Sequence, residues 1–324
     1  MKKWNIIQPG DLNNLKPQDF SPNGLKDRHV RINTKAIGMN PADLMQVMGT
    51  HQNPPPPPFS PGFEIAGIVT ESNASRFKEG DRVMASMDYG AYQECVDVEE
   101  QLVEIIPEAV SYTAAAAIPI SYGTAYVSLI HRGQLKPNQT LLVLGATGGV
   151  GSRMVEIAAA LGARVVATYS KDNQQEYLKS LGANQLINYR EEDLIARVKE
   201  MTNNKGVDMV ADLVGGDLFK ASLDCVAWGG SILPIGVASG KIPQLNSIDM
   251  LIRNTSLIGT DFAAYITREP GVVQQTFKKI FDWYKEGKLG FSEPSNVLPF
   301  DEADRALEQL SKGELKGKSV LKID

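Results

Sequence analysis

Cysteine and histidine are scarce in this chain: two cysteines and three histidines among 324 residues. Cys95 and Cys225 lie far apart in no metal-like spacing, so a reducing cytoplasm is the expected location. His29, His51 and His131 show no paired spacing and read as surface or turn residues rather than ligands. No apolar run approaches the roughly 20 residues that span a bilayer. The opening MKKWNIIQPG has two lysines but no apolar stretch behind them, so no secretory signal is expected. Excess positive charge is missing too: a net charge of −5 and a pI near 5.4 argue against nucleic acid as a required partner. What remains is a globular composition, 43% hydrophobic and 22% charged, in a chain long enough for two ordinary domains.

The rhythm of the chain changes near residue 118. Before it, short runs such as HVRINTKAIG, FEIAGIVTE and DRVMAS are separated by Gly and Pro, the pattern of a β-rich domain with short strands. From about 140, strands and helices alternate. TLLVLG, RVVATYS, LINY, VDMVADLV, GSILPIG and TSLIG read as strands. Helices are expected after the first four, among them Glu191–Met201 and Asp217–Cys225. Repeated βα units of this length predict an α/β fold with a doubly wound parallel sheet. A helix over Gln274–Gly287 and a terminal strand, SVLKID, follow; the strand is too short for a core of its own and is expected to rejoin the first domain. The partition is therefore 1–117, 118–259 and 260–324. Asn53–Pro61, with prolines at 54–58, reads as a stiff extended loop rather than a ligand for a proline-binding module.

Ala146-Thr147-Gly148-Gly149-Val150-Gly151 follows an apolar strand and opens a helix. A glycine string alone is a weak signal; in that context it predicts a dinucleotide-binding turn. Gly148 would let the backbone approach a pyrophosphate, Gly151 would let helix pack on strand, and the helix N-terminus would meet the anion. Ala146 stands where the strict pattern has its first glycine. The second strand ends in Tyr169-Ser170-Lys171, with no acid before Asp172. A hydroxyl and an ammonium there suit a 2′-phosphate, which a carboxylate would repel, so NADPH is the expected cofactor.

Taken together these residues resemble the zinc-free quinone oxidoreductase branch, including the zeta-crystallin-like proteins, of the medium-chain dehydrogenase/reductase superfamily. KAIGMNPADLMQVMG, PGFEIAGIV, PISYGTAY, VLGATGGVG, LINYREED, GGDLFKASLDC and GKSVLKI carry the likeness along the whole chain in the family's order. The resemblance implies a Rossmann domain plus a GroES-like β-rich domain discontinuous in sequence. It implies that Thr147, Gly148, Gly149 and Val150 face the pyrophosphate, and that Ser170, Lys171 and Tyr189 surround the 2′-phosphate. Thr124, Val214, Ile235, Gly236 and Val237 would lie near the nicotinamide half, and Asn40 would face the reacting ring. A lysine common after the second strand is replaced here by Gln174, so Lys171 would have to compensate.

Relatives that use zinc hold it with a thiolate and an imidazole. The corresponding residues here are Asn40 and Phe63, and no four-cysteine lobe exists, so no metal is expected. Without a Lewis acid the suited acceptors are quinones and enones, whose conjugation spreads the arriving charge. The Asn40 amide would orient the substrate or cofactor, and Tyr122 and Tyr92 are the candidate donors to the acceptor oxygen, each tyrosine having half-buried packing as its plainer reading. Met45 replaces a tyrosine often found in this segment, which counts against an enoyl-thioester reductase and leaves solvent to protonate the product. Three readings follow: an NADPH:quinone reductase, an enone or enoyl-thioester reductase, and a non-catalytic NADPH-binding crystallin-like protein. Relatives pair through the last strand of the Rossmann sheet, which implies a homodimer through Thr255–Gly259.

Overall fold

The computed structural model describes every residue but Asn53, with the side chain of Asp172 also excluded. The opening residue of the proline-rich loop thus lies outside the described residues. Two compact units emerge: Met1–Ile120 with Ala263–Tyr284 and Gly290–Asp324, and Ser121–Phe262 with Lys285–Leu289. The sequence partition did not anticipate Lys285–Leu289 in the second unit.

The first unit is built on a seven-stranded sheet. Its longest strand, His29–Met39, pairs antiparallel with Glu64–Ser72, with Cys95–Glu99 and with the terminal strand Ser319–Lys322. Burial alternates along the first half of His29–Met39 and becomes continuous over its last residues. That change marks where the strand passes from a half-exposed surface into the interior. Ile32, Ile37, Ile65, Val83 and Leu321 meet in its core, which has no solvent-facing members. Trp4 closes one side by donating its indole N–H to the Phe300 carbonyl at 2.9 Å.

The second unit contains six parallel strands. In spatial order they are Gln185–Asn188, Arg164–Tyr169, Thr140–Leu144, Val207–Asp212, Val226–Pro234 and Ser256–Leu257. Leu141 to Leu144 are fully buried, as a central strand covered by helices on both faces requires. Chain order reverses at Thr140–Leu144, which therefore stands at the topological switch point, where open α/β sheets bind ligands beyond the strand carboxyl ends.

Two expected helices shift. The one predicted from Glu191 begins at Leu194, because Asp193 caps it by accepting from the Ala196 N–H at 3.0 Å. Glu192 instead folds back to accept from the Asn188 N–H at 2.8 Å. The helix expected from Gln274 runs Pro270–Lys285. Among the described residues no helix is long and apolar enough to cross a membrane.

Candidate functional site

Each unit carries its own set of candidate residues. In the second, all but one of the cofactor candidates follow a carboxyl end of the parallel sheet: Thr147 to Val150 after the first strand, Ser170 and Lys171 after the second, Tyr189 after the third. Val214 follows the fourth strand, and Ile235 to Val237 the fifth. Thr124 is the exception, half-buried on the helix Pro119–Tyr126.

The glycine-rich turn divides its labour among three glycines. Gly145, not position 146, makes the tight turn: its φ is +80°, whereas Ala146 is buried against the sheet. Gly151 fills the packing role, since a Cβ there would stand 2.2 Å from the Gly145 carbonyl oxygen. A Cβ on Gly148 would meet only that oxygen, at 3.5 Å, so the space in front of Gly148 is open. Gly148 heads the helix Gly149–Leu161, which has no side-chain cap and no acid in its first turn. Its free N–H groups and positive dipole end suit a pyrophosphate.

Asp212, which sequence reasoning missed, organises two of these loops at once. Its buried carboxylate accepts from the N–H groups of Val214 at 2.9 Å and Gly215 at 3.0 Å. Its carbonyl accepts from Ile235 at 2.8 Å and Gly236 at 3.2 Å. Burial raises its pKa, and the two N–H groups act against that rise. An acid closing the apolar run VDMVAD was the available signal.

At the end of the second strand, Gln174 takes over a structural task. Its Oε1 accepts from the N–H of Ser170 at 3.3 Å and of Lys171 at 3.2 Å, curling that loop. Ser170 is half-buried and Lys171 exposed, and Tyr189 is tied back through its N–H to the Tyr169 carbonyl.

In the first unit Asn40 begins the helix Pro41–Met48 and is nearly buried. Its N–H donates to Asp43 Oδ2 at 2.9 Å, its Nδ2 donates to Glu64 Oε1 at 2.8 Å, and its Oδ1 accepts from Lys318 Nζ at 2.7 Å. Lys318 also donates to the Met39 carbonyl at 3.0 Å and to the Glu64 carboxylate. Glu64 is wholly buried, and its other oxygen accepts from the Ile120 N–H at 2.7 Å.

Both candidate tyrosines have other hydrogen-bond partners in the structure. Tyr92 has no exposed surface and donates its hydroxyl to Asp43 Oδ2 at 2.9 Å. Burial, and then the Asp43 charge, pushes its pKa well up. Tyr122 is buried, donates to Glu156 Oε2 at 2.7 Å and accepts from Arg153 Nη1 at 2.8 Å, with the guanidinium over its ring. Burial raises its pKa as well. Both hydroxyls donate to buried carboxylates.

The alcohol dehydrogenase GroES-like domain model matches residues 26–125, and the zinc-binding dehydrogenase model matches 149–286. Those two models in that order, on this β-rich unit and this parallel sheet, define a medium-chain dehydrogenase/reductase. A quinone oxidoreductase-like protein 2 homolog from Nematostella vectensis is 36% identical over 93% of this chain and 84% of its own length. Quinone oxidoreductase 1 of Escherichia coli K12 is 33% identical over 95% of both chains. The crystal structure of Escherichia coli quinone oxidoreductase complexed with NADPH superposes with a TM-score of 0.89 at 30% identity, covering 100% of both chains. The chain belongs to the quinone oxidoreductase family of that superfamily.

The second model is named for zinc, and the donor set does not fit that metal. Asn40 offers an amide already held by two charged groups, and Phe63 offers no ligating atom. Among the described residues no group of three His, Cys, Asp or Glu could hold a metal ion.

Proposed function

We propose that this chain is an NADPH-dependent, zinc-independent quinone oxidoreductase. One observation carries the reading. The carboxyl edge of the parallel sheet joins an open, uncapped helix N-terminus at Gly148 to a second-strand end that presents Ser170 and Lys171. The first fits a pyrophosphate and the second a 2′-phosphate. Thr147, Gly149 and Val150 complete the pyrophosphate turn, and Tyr189 flanks the phosphate end. Thr124, Val214, Ile235, Gly236 and Val237 serve the nicotinamide half.

When bound, NADPH supplies the hydride. The chain's own part is to hold the acceptor and to donate to the oxygen on which charge develops, which is the role of the Asn40 amide. The proton that completes the hydroquinone comes from solvent, since neither Tyr92 nor Tyr122 offers one.

The test is oxidation of NADPH and NADH, followed by absorbance, against ortho- and para-quinones and enones, with zinc assayed in the same preparation. NADPH-selective, metal-independent turnover with quinones preferred is expected. Preference for enones would move the chain to the double-bond reductases. Tight NADPH binding without turnover on any acceptor would favour a non-catalytic role.

We also propose a cytoplasmic homodimer formed through the sheet edge Thr255–Gly259. Ser256–Leu257 ends the sheet, and nearby Trp228, Leu251 and Ile252 are 78%, 74% and 69% exposed in the single chain. An apolar edge of that kind favours self-pairing. Light scattering is expected to give twice the 35.3 kDa of one chain, and L251D/I252D to give monomer. A monomeric wild type at micromolar concentration would refute the pairing.

A further inference from the structure

We infer that Lys318 and Glu64 are positioning residues that lock the Asn40 amide in one orientation, so that it meets the acceptor as a hydrogen-bond donor only. The inference rests on the quinone reductase reading of Asn40.

An ammonium can only donate and a carboxylate can only accept. The atom of Asn40 that faces Lys318 must therefore be the oxygen, and the atom that faces Glu64 must be the nitrogen. Reversing the amide would set NH₂ against ammonium and carbonyl oxygen against carboxylate, two repulsions in a region nearly free of water. All three hydrogens of Lys318 are taken, by Met39, Asn40 and Glu64. Both oxygens of Glu64 are taken as well. The amide oxygen of Asn40 is committed, and of its two N–H groups one goes to Glu64. What remains is a single N–H, a group that can stabilise a developing oxyanion and cannot accept a proton.

The fold builds this arrangement from three distant segments. Ser319 pairs with Met39 in the antiparallel ladder, which brings Lys318 beside Asn40. Ile65 pairs with Ile37 on the other side, which brings Glu64 alongside Gly38. Gly38 is glycine for the same reason: a Cβ there would overlap the Glu64 carboxylate and the Ala116 carbonyl, each at 2.3 Å. The room for this carboxylate is thus written into a second residue.

K318M alone would leave Glu64 buried and unpaired and could fail to fold. The variant of choice is E64Q/K318M, which removes both charges together. It is combined with N40A in a double-mutant cycle, read as the single-turnover rate of NADPH oxidation by saturating para-benzoquinone. N40A is expected to slow that rate about 100-fold, the scale of losing one oxyanion donor. E64Q/K318M is expected to slow it about tenfold or more, with the KM for NADPH within about threefold of wild type. In the N40A background the same pair of changes should cost nothing further, because nothing is left to orient. Additive losses would overturn the inference while leaving the reductase reading intact, since Lys318 and Glu64 would then act independently of Asn40. A wild type that oxidises no NADPH with any quinone would overturn the reading, and the inference with it.

Discussion

Replacing Gly151 with alanine should cost the second unit its stability, while the same change at Gly148 should cost only the cofactor. At Gly151 the new Cβ would lie 2.2 Å from the Gly145 carbonyl oxygen, 2.9 Å from its carbon and 3.0 Å from the Ala146 Cα. These are backbone atoms that cannot rotate away, so helix Gly149–Leu161 would have to lift from the strand Thr140–Leu144. Overpacking of that kind costs about 1–3 kcal/mol, and more where nothing can yield. At Gly148 the added Cβ would meet one atom at ordinary contact distance, and the backbone φ of −77° suits any residue. Its melting temperature should stay within about 1 °C of wild type. The methyl group would instead occupy the space that a pyrophosphate needs, raising the NADPH dissociation constant about tenfold or more. Thermal denaturation and NADPH titration of both variants separate the two roles. A destabilised G148A with unchanged NADPH affinity would refute the division.

That division also marks how far the sequence could be read. The strand, the turn and the helix were legible because apolar periodicity and glycine spacing are local signals. Which residue makes the tight turn was not legible: Ala146 holds the first position of the strict pattern, and only the backbone conformation assigns the turn to Gly145. The polar partners were not legible. Lys318 meets Asn40 across 278 positions, and Tyr92 meets Asp43 across 49. No periodicity reports a contact that two strand registers create. The usable hints were charges in apolar company: Glu64 in FEIAGIV, Asp212 in VDMVAD and Lys318 before SVL. A charge inside a buried strand must find a partner, and the sequence announces that need without naming the partner. Tyr92 and Tyr122 show the converse: the sequence offers each hydroxyl as a donor without naming the carboxylate that accepts from it in the fold.

Asp43 makes the stability of this protein depend on pH in the sense opposite to most carboxylates. It has no exposed surface, its Oδ1 has no hydrogen-bond partner, and Oδ2 alone accepts from Asn40 and Tyr92. Burial is the largest influence and raises its pKa from 3.8 to about 7, with the Glu64 charge adding to the rise. The Asn40 N–H, the Tyr92 hydroxyl and Lys318 oppose it. Between those two values the folded chain keeps a proton that the unfolded chain has lost. Stability should therefore fall as pH rises from about 4 to about 7, and level off above, by on the order of a few kcal/mol. Glu104, raised to about 7 chiefly by burial, adds to the same trend. D43N holds the neutral form at every pH and keeps an oxygen for the two donors. Its melting temperature should come nearest to wild type at about pH 4, where the unfolded chain also begins to hold the proton on Asp43, and exceed it by several degrees at pH 8. Parallel melting curves for the two proteins across that range would sink the assignment. The functional consequence follows from the shared atom: Asp43 Oδ2 holds the backbone of Asn40, so the residue that titrates is one bond from the residue proposed to meet the acceptor. Losing the proton strengthens both hydrogen bonds to Asp43, so the pH that weakens the fold as a whole fixes Asn40 more firmly in place.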